Sequence, residues 1–168
     1  NNTVWLALTG IATFAVNAAT MTKASGTATS ITAPTTAGTY YIYVVDQAGN
    51  ASSRSNAALT VDTTAPSIST ALAVNVANTS ATITFSEEVF QSNGSTRLTA
   101  NELSLTIASG TGTATLASYT VSTMDDTTFT FALTLSGTPD RTEVLTLTAT
   151  VYDGATNSAS VSDTVTLN

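Results

Sequence analysis

A short tract that occurs twice constrains the fold of this chain more than any other feature. Val44–Asn50 (VVDQAGN) is followed later in the chain by Val151–Asn157 (VYDGATN). Each copy ends an apolar run, places Asp four residues before Asn, and precedes a stretch rich in Ser, Ala and Thr. Self-similarity of this kind is typical of tandem modules, each a structural unit of its own. The repeat therefore predicts two modules of related design within one chain.

Alternating apolar and polar residues predict that both modules are all-β. Leu103–Ile107, Thr128–Leu135 and Val144–Thr148 place an apolar side chain at every second position. Because successive side chains of a strand point to opposite faces, this spacing predicts strands with one buried face. Turn residues separate these tracts, for example at 92–95 and 124–126. Strands at such regular spacing predict two tandem antiparallel β-sandwiches.

Asp62–Pro66 (DTTAP) marks the predicted boundary, with one module in residues 1–62 and the other in residues 63–168. Proline cannot donate a ladder hydrogen bond and suits the start of a first strand. From residue 67 the chain has alternation for seven or eight strands, which is a complete sandwich. The five strands predicted before the boundary are 3–8, 11–16, 27–32, 38–46 and 57–61. The first module is therefore predicted to lack its opening strand or strands, and its open edge must be covered by another segment or chain.

Composition excludes several classes of function. Charged residues make up only 9% of the chain, whose formal net charge is −7. The few basic residues are scattered, so no nucleic-acid interface is predicted (Lys23, Arg54, Arg97 and Arg141). No apolar run is long enough to cross a bilayer, so membrane insertion is not expected. The absence of Cys and His removes thiolate nucleophiles and the commonest general base, so we predict no enzyme and no required cofactor.

Three tracts resemble bacterial immunoglobulin-like repeats. Gly38–Asn50 followed by Leu59–Pro66 resembles the last two strands and the linker of such a module, and Ala81–Val89 (ATITFSEEV) resembles a second strand of a related type. Modules of this kind are strung along large surface adhesins and other secreted fibrous proteins. The resemblance implies tandem Ig-like domains at an extracellular or cell-surface location, acting as a structural or adhesive repeat unit of a fibre, stalk or appendage. The expected partners are copies of the chain itself or adjacent repeats, joined end to end by strand complementation.

The repeated Asp and Asn residues have two interpretations. Carboxylate and amide oxygens are ligands for calcium, so one interpretation is a metal site (Asp46, Asn50, Asp153 and Asn157). Asp62 in the linker is a further predicted ligand, by resemblance to calcium-stiffened tandem adhesins. Alternatively, Asp and Asn form turns by bonding their own backbone. No dense acidic loop accompanies them, so we prefer the turn interpretation.

The aromatic residues also allow more than one interpretation. Alternation assigns every second residue from Tyr40 to a predicted core face, with Tyr40 in a tyrosine-corner-like role (Tyr40, Ile42 and Val44). Tyr41 and Tyr43 then point outward, near Trp5. Such a row fits an assembly interface first, plain surface second and glycan stacking third, the last in a carbohydrate-binding accessory module of a secreted protein. Trp5 is alternatively the core tryptophan of the first module, which we favour.

Overall fold

The chain divides into two β-units within the predicted boundary tract. A computed structural model describes residues 1–123 and 125–168. Its two units are Asn1–Thr64, here unit 1, and Ala65–Asn168, here unit 2. All strand pairs are antiparallel within the described residues, which confirms the all-β prediction. The described residues include no helix that is long and apolar enough to cross a membrane.

Unit 1 consists of one four-stranded sheet in the order β2-β1-β3-β4. The strands are β1 (Thr3–Ala7), β2 (Met21–Ser25), β3 (Gly38–Val45) and β4 (Ala58–Val61). The predicted strands at 11–16 and 27–32 are wrong, since both segments are loops. In the first of them, Ile11 and Phe14 pack on the sheet from a loop. These two residues are three positions apart, a spacing that does not fit one face of a strand.

The small core of unit 1 lies on the face of β3 that was predicted to point outward. Its buried residues are Trp5, Ala7, Met21 and Val45, and Tyr43 packs against them. The cross-strand register explains this arrangement, because Trp5 lies opposite Tyr43 and not opposite a residue of the predicted core face.

The predicted core face of β3 is buried at one end only. Tyr40 is fully buried and its hydroxyl donates to the Thr36 carbonyl at 2.7 Å, which confirms the tyrosine-corner-like role. The assignment of Ile42 and Val44 to the core is wrong, because these side chains are 42% and 39% exposed. Their exposure has a simple cause: unit 1 has no second sheet among the described residues to cover them.

Unit 2 is a sandwich of two sheets, with strand orders β5-β6-β9-β8 and β11-β10-β7. Its strands are β5 (Ile68–Val74), β6 (Ser80–Phe85), β7 (Leu103–Ala108), β8 (Thr115–Thr123), β9 (Thr128–Ser136), β10 (Val144–Tyr152) and β11 (Ser158–Thr166). Phe129 and Phe131 from one sheet share a buried cluster with Leu145 and Leu147 from the other. These strands match the predicted seven or eight. The predicted turn at 124–126 includes Met124, which lies outside the described residues.

One carboxylate closes an open side of this sandwich. The pairing of β5 with β6 is irregular between Ile68 and Ala73, so part of β5 leaves the ladder. There the buried Leu72 donates its N–H to Asp163 Oδ2 at 2.6 Å, and Asp163 belongs to β11 in the other sheet. The Asp163 carboxylate thus accepts a backbone N–H for which the strand ladder provides no acceptor.

We expect Asp163→Ala to destabilise unit 2 by about 1–3 kcal/mol, because it leaves the buried N–H of Leu72 without an acceptor. Urea unfolding followed by fluorescence measures the change. Ser162→Ala on the same strand, at an exposed position, is the matched control and should change the midpoint little. Equal midpoints for the two variants would contradict this role of Asp163.

Candidate functional site

The two copies of the repeated tract form the same turn, which confirms the turn interpretation. In unit 1 the Asp46 carboxylate accepts the backbone N–H of Asn50 at 2.8 Å and its side-chain Nδ2 at 2.9 Å. In unit 2 Asp153 accepts the same two groups of Asn157 at 2.8 and 2.7 Å. A backbone bond from Asp N–H to Asn C=O closes each turn. Calcium binding by these residues stays a prediction, and an ion would have to compete with Asn for both carboxylate oxygens.

The third predicted calcium ligand of unit 1 lies apart from this turn. Asp62 follows β4, whose Val61 pairs with Gly38 at the start of β3. Asp46 follows Val45 at the opposite end of β3. Asp62 Oδ1 accepts the Thr64 N–H at 2.9 Å, which forms a local Asx turn. Unit 1 therefore does not bring Asp62 together with the Asp46 turn.

The hydrogen bonds of the Asp46–Asn50 turn change the pKa of Asp46. Bonds from the Asn50 side chain and then from its backbone lower the pKa of Asp46 below the ordinary value. A lowered pKa in the folded state means that the turn is more stable when Asp46 is ionised. This contribution is present above the unfolded pKa and is lost as the pH falls through the folded pKa.

We expect Asn50→Ala to raise the pKa of Asp46 toward its ordinary value, because the Asn50 side-chain amide no longer donates to the Asp46 carboxylate. NMR titration of the Asp46 carboxyl carbon against pH measures the shift. Asn56→Ala, at an exposed loop position, should leave the titration unchanged. An unchanged Asp46 pKa in Asn50→Ala would show that the turn does not depend on this side chain.

The aromatic residues predicted as contacts form a packed cluster on one face of unit 1. Phe14 packs edge-on against Trp5 and against Tyr43, with both centroid distances at 5.4 Å. The Lys23 ammonium lies 5.2 Å from the centre of the Trp5 ring. Trp5 is only 6% exposed, as the core alternative predicted. Its ring is therefore covered on this face, whereas an open stacking platform for sugars needs an accessible ring.

Tyr41 occupies the same face but is covered differently. The Arg54 guanidinium lies 4.2 Å from the centre of its ring, within the range of a cation–π contact. Both basic residues of unit 1 therefore lie over aromatic rings on this side of the sheet. This side is closed by a loop and two cations.

The opposite side of the same sheet, here the open face, is accessible in part, since Tyr40 and Leu6 on it are buried. Exposed aliphatic side chains from two neighbouring strands lie on it (Ile42, Val44 and Leu59). Beside them is a groove of about 140 Å³ between the sheet and the 28–31 loop. Its lining is uncharged and mainly aliphatic (Val4, Ala24, Ala28, Thr29, Ser30, Ile31 and Ile42). Apolar surface of this kind, continuous across strands, is a candidate contact surface.

Two serines block strand addition at the neighbouring edge of β3. Ser52 donates its N–H to the Val44 carbonyl at 2.8 Å, and its Oγ accepts the Val44 N–H at 3.0 Å. Ser55 makes the same pair of bonds with Ile42, at 2.9 and 3.0 Å. The backbone groups that an added strand would need at these positions are already bonded. A partner that covers Ile42 and Val44 must therefore approach the open face and not this edge.

The sequence pointed to Ile42 and Val44 as apolar but missed the groove. Alternation identified which side chains share a face, and it assigned 27–32 to a strand. That segment is instead the loop that forms one wall of the groove.

Comparisons with protein-family models, with curated proteins and with solved structures found no match. The resemblance to immunoglobulin-like repeats therefore stays a prediction.

Proposed function

We propose that this chain is a non-catalytic structural repeat unit of an extracellular fibre, stalk or surface appendage, whose copies join end to end. The Ig-like character is part of the proposal. In favour of it, the strand order β5-β6-β9-β8 opposite β7-β10-β11 is that of a seven-stranded constant-type immunoglobulin sandwich. Antiparallel ladders of this length resist extension, and such modules suit a load-bearing role.

The repeat within the chain supplies the main argument. β3, the Asp46–Asn50 turn and β4 correspond to β10, the Asp153–Asn157 turn and β11. β1 lies beside β3 as β7 lies beside β10. In unit 2 this sheet is covered by a second sheet, whereas in unit 1 Tyr40 is buried but Ile42 and Val44 on the same face are exposed. The open face is the single observation that carries the proposal: unit 1 is half of a sandwich that a neighbour completes.

The edge of β3 and the open face together indicate how a neighbouring copy completes unit 1. End-to-end strand complementation is the simplest model for a missing strand. The serine bonds oppose it at Ile42 and Val44, since the ladder groups there are occupied. We therefore propose that the neighbouring copy packs on the open face of unit 1.

We expect Ile42→Lys to abolish concentration-dependent assembly, because a charge placed in a desolvated contact costs far more than the lost apolar area. Size-exclusion chromatography with light scattering measures the assembly of the purified chain. Thr60→Lys is the matched control: it adds the same charge to an exposed β4 residue on the other side of the sheet.

The same measurement in EDTA and in excess calcium tests the predicted metal sites. We expect assembly in both buffers, because neither the groove lining nor the exposed side chains of Ile42, Val44 and Leu59 offer a carboxylate. A wild-type chain that stays monomeric at every concentration in both buffers would refute the proposed function. Assembly in calcium alone would favour the calcium-stiffened adhesin extender.

A further inference from the structure

A rigid apolar turn in unit 2 has the properties needed to fill the groove of unit 1. We propose that Val76 of one copy inserts into the groove of a second copy, between Val4, Ile31 and Ile42. The inference rests on the proposed function, since it names the contact through which copies join.

Val76 is an unusual surface residue. It lies in the turn between β5 and β6 and is 90% exposed, far more than Ile42, Val44 or Leu59. Single exposed aliphatic residues are common on proteins and need no explanation by themselves. This one is set apart by the stiffness of the turn that presents it and by the absence of charge around it.

The turn is held in place by three asparagines. Asn75 Oδ1 accepts the N–H of Thr79 at 2.8 Å. Asn78 and Asn168 bond each other reciprocally, with Asn78 Nδ2 donating to the Asn168 carbonyl and Asn168 N–H donating to Asn78 Oδ1, both at 3.0 Å. A residue presented by a preformed turn loses little conformational entropy on binding. Val76 is thus ready to insert without rearrangement.

The groove matches this side chain in size and polarity. Its volume of about 140 Å³ is close to that of the ~150 Å³ apolar cavity that holds a benzene molecule, so an isopropyl group fits. Its walls are aliphatic at Val4, Ile31 and Ile42, and none of its lining residues is ionisable. Insertion of Val76 therefore buries apolar surface on both partners and no charge.

Electrostatics select a contact between unlike units. Unit 1 contains two acidic and two basic residues and is neutral, whereas unit 2 contains nine acidic and two basic residues and carries the whole net charge of −7. Contacts between two copies of unit 2 bring like charges together, whereas contacts between unit 2 and a neutral unit 1 do not. Of the inter-strand loops of unit 2, only 75–79 and 109–114 lack an ionisable residue. Val76 is the exposed large aliphatic residue in these two loops.

The Val76 turn and the groove each lie at the end of their own unit that is remote from the linker. β5 starts at Ile68, shortly after the linker, and runs to Val74, so the 75–79 turn lies at the far end of unit 2. In unit 1 the linker follows Val61, which pairs with Gly38, whereas Val4 of the groove pairs with Val44 near the other end of β3. A contact between the turn of one copy and the groove of another is heterologous. It extends into a row of copies unless the rotation that relates neighbouring copies closes a ring.

The contact is small, so its affinity in solution should be low. Interfaces that bury less than about 1,200 Å² belong to the weak, transient class. A head-to-tail row has one such contact at each junction, so a weak contact produces long rows only at high protein concentration. The test must therefore cover a wide range of protein concentration.

Sedimentation velocity over a concentration series tests the inference on the intact chain. We expect wild-type protein to form progressively larger species, and Val76→Asp to weaken association by about tenfold to a hundredfold or more, as the loss of one buried aliphatic side chain implies. Val16→Asp is the matched control, because Val16 is a 62% exposed valine outside the proposed contact. Val76→Ser provides a second, uncharged variant, and circular dichroism checks that every variant is folded.

A mixing experiment gives the sharpest outcome. Val76→Asp has an intact groove but no functional turn, and Ile42→Lys has an intact turn but no functional groove. Each variant alone should therefore stay monomeric. Their mixture should form one-to-one dimers and stop there, since the remaining ends of such a dimer are both inactivated. Larger species in the mixture, or no dimer at the highest concentration, would overturn the assignment of Val76.

The outcomes separate this inference from the proposed function. If Val76→Asp assembles as the wild type does while Ile42→Lys stays monomeric, the open face is the contact but Val76 is not its occupant. If Val16→Asp is impaired as much as Val76→Asp, specific insertion is refuted. A wild-type chain that remains monomeric throughout refutes both proposals.

Discussion

The fold of each unit depends on a carboxylate that bonds twice to the asparagine four residues further along the chain. Asp46 and Asp153 each accept the backbone and side-chain N–H groups of this asparagine, and each turn thereby sets where the following hairpin starts. In unit 2 the resulting register runs without interruption from Tyr152–Ser158 to Val144–Thr166. Because a slip of one residue would move every apolar side chain to the wrong face, a fixed turn is a strong constraint on the sheet.

The same turn leads to different sheets in the two units because the residues after it differ. In unit 1 the serines at 52 and 55 satisfy the edge of β3 with both their backbone and hydroxyl groups, and a regular ladder resumes only at Ala58. Side-chain hydroxyls that substitute for a strand protect an edge from unwanted pairing. The adjacent sheet face, which holds Ile42 and Val44, has no second sheet over it among the described residues.

The two units also differ in how much apolar surface they bury. Unit 2 encloses Phe129, Phe131, Leu145 and Leu147 between two sheets, and each such side chain contributes about 1.5–3 kcal/mol when fully buried. Unit 1 buries a smaller set around Trp5 on one side of its sheet, and Leu6 and Tyr40 on the other. Domains of about 60 residues are marginal because they bury only ~60% of the surface of the unfolded chain. A partner on the open face would therefore add stability where unit 1 has least, and its binding would then be coupled to the folding of unit 1.

The sequence by itself determined the β-class, the boundary region and the turns, because each depends on neighbours along the chain. Alternation is a property of a few consecutive residues, and the Asp–Asn turn is closed by residues four positions apart. Only the tertiary structure decided which face of β3 is buried, since alternation distinguishes two faces without saying which one is covered. That choice depends on the register with β1, which places Trp5 opposite Tyr43, and on the loop that carries Ile11 and Phe14, which packs on this face from outside the sheet. The groove and the serine-bonded edge have the same origin: both arise from segments that meet only after the strands have paired.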